Sequence, residues 1–94
     1  MKIKICGLTR VEEAAYLNQY QVDFAGFVLF HPKSKRNITI EQAEMIAQAL
    51  DMAVKRVAVV VSPSLQQIRQ IEASAARFDY IQVHGALPRE LLEQ

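Results

Sequence analysis

Four short apolar runs alternate with amphipathic runs at helical spacing, and this alternation constrains the fold more than any other feature of the chain. Residues 3–6 form the first apolar run. The second, Phe24-Ala25-Gly26-Phe27-Val28-Leu29-Phe30, is nearly continuously apolar, as a parallel strand covered on both faces must be. Val57-Ala58-Val59-Val60-Val61 is the most β-branched stretch and predicts the third strand. Residues 78–83 predict the fourth, closed by His84-Gly85.

Helices are predicted between these runs. Thr9-Arg10-Val11-Glu12 reads as a capping box that opens the first helix, which runs to about Tyr20 with Ala14, Ala15 and Leu17 among its apolar positions. After a polar loop over 31–39, Ala43, Ile46, Ala47 and Leu50 share one face of a second helix over 40–50. Ser62-Pro63-Ser64 stops the third strand and caps a third helix, whose stripe is Leu65, Ile68, Ile71 and Ala75. Pro88 suits a first helical turn, and residues 89–93 begin a fourth helix.

The predicted order is β-α-β-α-β-α-β-α. Strands alternating with helices imply parallel strands joined by right-handed crossovers. The chain, residues 1–94, reads as one small (βα)4 domain that stops within its fourth helix. Four such units suit either a small open doubly wound sheet or half of a (β/α)8 TIM barrel. Periodicity does not choose between them. Asp23-Phe24 and Asp79-Tyr80 each open a strand, an echo read as architectural rhyme.

Composition excludes several functions. Net charge is +1 and no basic stripe is present, which argues against nucleic-acid binding. The short run Lys33-Ser34-Lys35-Arg36 reads, taken alone, as a solvated loop. The single cysteine, Cys6, permits no internal disulfide and fits a reducing compartment. No stretch reaches the length of a membrane span, and the first residues lack the apolar core of a signal peptide, so a cytoplasmic protein is expected. No glycine-rich nucleotide loop is present, and with no Cys/His ligand spacing no metal is expected.

In either architecture the chemistry belongs at the C-terminal ends of the strands. Those ends carry Cys6-Gly7, Phe30-His31-Pro32-Lys33, Ser62 and Gln82-Val83-His84-Gly85, so the one cysteine and both histidines share a rim. The opposite rim carries Asp23, Lys55 and Asp79, which read as solubility and packing residues. Singly, each rim residue has a bland reading. Cys6 suits a small buried hydrophobe, His84 a structural hydrogen-bonder, Arg36 a solvated charge, and Gly7, Gly26 and Gly85 turn or close-packing positions.

Taken together and in order, three motifs carry a resemblance. Lys4-Ile5-Cys6-Gly7-Leu8-Thr9, then Gly26-Phe27-Val28-Leu29 running into Pro32-Lys33-Ser34-Lys35-Arg36, then Gln82-Val83-His84-Gly85, are similar to successive motifs of the phosphoribosylanthranilate isomerase family. The resemblance covers the whole chain but only the N-terminal half of the family's barrel. It implies a cofactor-free Amadori rearrangement in tryptophan biosynthesis, converting N-(5′-phosphoribosyl)anthranilate to 1-(o-carboxyphenylamino)-1-deoxyribulose 5-phosphate. Cys6 matches the general base. A free thiol titrates near 8.5, so such a base needs cationic surroundings, which Lys33 and Arg36 are expected to supply. Arg36 matches the clamp on the anthranilate carboxylate, a task that suits a planar guanidinium fork. Gly7, Lys33, Gln82 and His84 match positions near the substrate.

The family's general acid, an aspartate, and its phosphate cradle lie on later strands. Asp23 and Asp79 open strands and Asp51 ends a helix, so none of the three is placed to replace that acid. Lys35 replaces a usual proline, Val83 a common leucine, and Ala86-Leu87-Pro88 departs from the family's polar continuation. The isolated chain is expected to be inactive. Its open edges predict pairing with a second copy, as a homodimer, or with a missing C-terminal half. A non-catalytic half-barrel module for binding or assembly is the alternative. A receiver-like open sheet is a third reading, which would need clustered acidic residues at the strand ends.

Overall fold

The structure is a computed structural model and describes residues 2–87. The fourth helix expected from Pro88 onward lies outside the described residues. Eight elements are formed: β1 (Lys4–Cys6), α1 (Glu12–Gln19), β2 (Phe24–Leu29), β3 (Asn37–Ile38), α2 (Ile40–Ala49), β4 (Lys55–Val61), α3 (Leu65–Glu72) and β5 (Tyr80–His84). Every strand pairing is parallel. The strand order β1-β2-β4-β5 follows the chain, with β3 attached to β2.

This order decides between the two architectures. A doubly wound sheet reverses direction at a switch point, so its first strand lies inside the sheet. Here β1 and β5 are the two outer strands and the winding never reverses. That is the winding of half a (β/α)8 barrel.

Register divides the sheet into two faces. Lys4 pairs with Phe24 and Cys6 with Gly26. Gly26 pairs with Val57 and Val28 with Val59. Val59 pairs with Gln82 and Val61 with His84. Because strand side chains alternate, these residues share one face. The other face carries Ala25, Phe27, Leu29, Ala58 and Val60, all fully buried against the helices. Leu8, Ala14, Leu17, Ala43, Ile46 and Ile71 complete that core. Phe78 packs its ring edge-on to Phe27, 5.8 Å between centroids.

Several boundaries differ from expectation for identifiable reasons. The loop over 31–39 contains β3, because β1 stops at Cys6 and leaves the end of β2 with a free edge. The chain returns to that edge and pairs Asn37 with Val28 and Ile38 with Leu29. The capping box at Thr9 does not form with Glu12. The helix starts at Glu12, behind Val11, and the carboxylate that turns back is that of Glu13. Ala15 is exposed on α1. Helix α3 ends at Glu72, so Ala75 lies in a turn and is exposed, while Ala76 is buried in its place. Genuine capping boxes open α2, from Thr39 to Gln42, and α3, from Ser64 to Gln67.

The rhyme of Asp23 and Asp79 has a physical basis on the N-terminal rim. The Asp23 carboxylate accepts from the Ile3 N–H at 2.7 Å, and its own N–H donates to the Ile3 carbonyl at 2.9 Å. Asp79 makes the same reciprocal pair with Arg56, at 2.9 and 2.8 Å. Gln21 and Arg77, each two residues earlier, adopt positive φ of 52° and 54°. Both loops thus turn into the sheet by the same device. The Arg56 guanidinium donates to the carbonyls of Ala47, Leu50, Asp51 and Val54, gathering the exposed end of α2.

Candidate active site

Cys6 ends β1 on the inner face of the sheet, directly beside Gly26 of β2. A Cβ at residue 26 would lie 3.0 Å from the Cys6 sulfur and 3.2 Å from its Cα, so glycine there makes the floor on which the thiol rests. Cys6 is exposed, not the buried small hydrophobe that its bland reading would make it. After it the chain turns at Gly7, whose φ of +88° is a left-handed value that glycine adopts without steric cost. Gly7 and Leu8 both donate to the Gly26 carbonyl, at 3.0 and 3.3 Å. Leu8 is buried and anchors the loop.

Arg36 arrives at this turn because β3 docks beyond the end of β1. A tight turn precedes it, in which Ser34 donates to the His31 carbonyl at 2.9 Å and the His31 N–H donates to Asn37 Oδ1 at 2.7 Å. The Arg36 side chain then crosses Gly7, and its Nη1 donates to the Cys6 carbonyl at 3.1 Å. A guanidinium has five N–H donors. Among the described residues the rest of this fork meets no protein acceptor.

Gln82 and His84 lie two residues apart on β5 and therefore on the same inner face as Cys6. Gln82 Nε2 is 3.2 Å from His84 Nε2, and Lys4 Nζ donates to Gln82 Oε1 from across the sheet. Beyond β5, Gly85 has φ +86°, and Ser62 Oγ accepts from the Ala86 N–H at 3.1 Å. Lys33 is exposed in its turn, and no hydrogen bond among the described residues ties it to Cys6. Of the two, Arg36 is the one that hydrogen-bonds to Cys6, at its carbonyl.

Two contributors were not legible in the sequence. The Glu13 carboxylate accepts from the N–H groups of Thr9 and Arg10, both at 2.9 Å, and so braces the loop that follows Cys6-Gly7. The N–H of Thr9 holds this carboxyl below the usual range, against the opposing effect of burial, with Arg10 adding to the lowering. The spacing of Glu13 from Thr9 was its only trace. Lys4 is the second, hidden in an ordinary strand pattern.

Among the described residues no aspartate or glutamate sits on the inner strand face, where β1 places Lys4 and Cys6 and β5 places Gln82 and His84. On that face Val57 and Val59 are buried, and Val61, next to the rim, is exposed. One cleft, at the N-terminal end of this face, is lined by Phe24, Lys55 and Tyr80 and lies away from the Cys6 rim. Another of about 550 Å³, in the helix layer beside β3, is lined by Phe30, Asn37, Glu41, Glu44, Gln70 and Ser74. No helix among the described residues is long and apolar enough to cross a membrane.

A sequentially wound parallel sheet, with a thiol, a guanidinium and an imidazole toward its C-terminal rim, defines half of an α/β barrel. Residues 3–94 match the family model described as N-(5′-phosphoribosyl)anthranilate (PRA) isomerase. The chain belongs to that family. It is 32% identical over 94 residues to N-(5′-phosphoribosyl)anthranilate isomerase of Clostridium acetobutylicum, covering 100% of this chain and 44% of the relative. The Streptococcus gordonii enzyme of that name is 38% identical over 93 residues, covering 99% of this chain and 46% of the relative. The chain thus spans under half the length of these curated relatives.

Solved structures agree. Phosphoribosyl anthranilate isomerase from Thermotoga maritima superposes with a TM-score of 0.85 at 36% identity, over 99% of this chain and 44% of that one. A phosphoribosyl anthranilate isomerase in complex with reduced 1-(o-carboxyphenylamino)-1-deoxyribulose 5-phosphate also gives 0.85 at 36% identity, over 99% and 47%.

Proposed function

We propose that this chain is the base-bearing half of a phosphoribosylanthranilate isomerase. Cys6 removes the C2′ proton from the ring-opened Schiff base of the substrate, giving the enolamine that tautomerises to the ketone. Arg36 holds the anthranilate carboxylate, and Gly7, Gln82 and His84 shape the rim around the sugar. Lys33 adds positive potential at longer range. The observation that carries this reading is the crossing of Arg36 over Gly7, which puts an unfilled guanidinium fork beside the thiol-bearing strand end.

The acid that opens the ribose ring and the phosphate cradle come from strands that a closed barrel would add. Among the described residues both outer strands, β1 and β5, have an unpaired edge. A second copy closes the ring by pairing its β1 to this β5 and its β5 to this β1. A C-terminal half of the family's barrel closes it as well and also brings the acid. We infer that the second partner is the catalytic one, and that the assembly works in the cytoplasm, where Cys6 stays reduced.

The test mixes this chain with a polypeptide covering the remaining strands of the Clostridium acetobutylicum relative and follows consumption of phosphoribosylanthranilate. Turnover is expected only for the pair, and Cys6→Ser should lower it at least a hundredfold, the lower range for a positioned proton-transfer group. Turnover by this chain alone, or a folded pair that fails to turn over, would overturn the reading.

A further inference from the structure

Lys4, Gln82 and His84 form a hydrogen-bonded row along the inner face, reaching from the first strand of the sheet to the last. We propose that this row sets the tautomer of His84, with Lys4 and Gln82 as positioning residues that hold the imidazole proton on Nδ1.

The inference rests on donors and acceptors. An ammonium carries three donors and no acceptor. Lys4 Nζ meets the Gln82 amide at Oε1, so the amide is oriented with its NH2 end away from Lys4. That end can only donate. It lies 3.2 Å from His84 Nε2, which must therefore offer a lone pair. A neutral imidazole with a lone pair on Nε2 carries its hydrogen on Nδ1.

The fold enforces each link. Gln82 and His84 are i and i+2 on β5, so alternation brings their side chains together on one face. Lys4 is two residues before Cys6 and shares that face. The row is thus built into the same surface as the thiol. It leaves His84 Nδ1 as an N–H donor, suited to a hydroxyl or carboxylate oxygen of a ligand. This last step rests on the isomerase reading; the tautomer itself does not.

The test is nitrogen-15 NMR of the chain labelled at histidine, at a pH where free imidazole is neutral, about 8.5 or above. With two histidines in the chain, His84→Asn assigns the signals. The expected pattern for His84 is an unprotonated Nε2 and a protonated Nδ1. Lys4→Met frees the amide to rotate, and the population should shift toward Nε2–H, the form free histidine favours in water. Gln82→Glu presents only acceptors and should move the proton to Nε2 outright. Lys4→Arg, still only a donor, should keep the proton on Nδ1.

A protonated Nε2 in the unaltered chain would overturn the proposal, as would an unchanged tautomer in both Lys4→Met and Gln82→Glu. His31 serves as the reference, since loss of folding moves both rings. No readout involves substrate, so failure of the isomerase reading leaves the tautomer result standing, and the reverse also holds.

Discussion

Arg36 lies so close over Gly7 that a Cβ on residue 7 would sit 2.3 Å from its Cδ. The two positions are far apart in sequence, and β3 is what brings them together. The glycine serves two ends, a left-handed turn and a side-chain crossing, so neither can be replaced alone.

Gly7→Ala should therefore act on stability and on the site together. The left-handed conformation costs a side-chain-bearing residue roughly 1–2 kcal/mol, and displacement of Arg36 adds to it. A drop of about 1–3 kcal/mol in urea-unfolding free energy is expected. A midpoint unchanged from the parent chain would mean that the loop relaxes without strain.

Arg36→Met keeps much of the stem and removes the fork. If the chain is the isomerase half proposed above, binding of reduced 1-(o-carboxyphenylamino)-1-deoxyribulose 5-phosphate to the completed barrel should weaken by about 2 kcal/mol or more, the range for a charge-assisted pair. Arg36→Lys should recover only part of that loss, because an ammonium cannot engage two oxygens in one plane. Calorimetric titration reads both. Equal affinity for the parent and Met forms would move the carboxylate contact elsewhere.

Glu13→Gln tests the brace behind the rim. The folded state holds this carboxyl below its usual value of 4.5. Its ionised form thus stabilises the fold above that value, and the contribution is lost as pH falls through the lower, folded value. Glutamine keeps an acceptor oxygen but no charge. At neutral pH the variant should be less stable by under about 1 kcal/mol, discounted for solvent exposure. The gap should close as pH drops below about 4.5. A gap that widens in acid would contradict this sign.

Arg56→Met should be the costliest of these changes. Its guanidinium serves four carbonyls around the end of α2. Hydrogen bonds to charged groups contribute about 1.5–3 kcal/mol, and carbonyls left partly buried add a desolvation cost. A loss of about 2–4 kcal/mol is expected by urea unfolding, with earlier hydrogen exchange in the last turn of α2. Loss under 1 kcal/mol would show that water satisfies those carbonyls.

Much of the fold was readable along the chain. Runs such as 24–30 and 57–61 state their burial in their own composition, and the stripe of Ala43, Ile46 and Ala47 states its helix. Errors fell where a distant partner overrides a local signal. Thr9 looked capped by Glu12, yet Glu13 has the reach once the helix starts at Glu12. Asn37 and Ile38 carry no strand pattern of useful length, and become a strand because β2 has a free edge. Asp23 and Asp79 read as solubility and packing residues because their partners are backbone groups, which no sequence displays.

The sequence by itself determined the alternation of strands and helices, the placing of Cys6, Gln82 and His84 toward strand ends, and the family, since each depends on residues near one another in the chain. Tertiary structure alone decided that the winding is sequential, that Arg36 lies over Gly7, and that Lys4 reaches Gln82 across 78 positions. Those relations depend on register and on the curvature of a parallel sheet, which are set when many weak contacts close together.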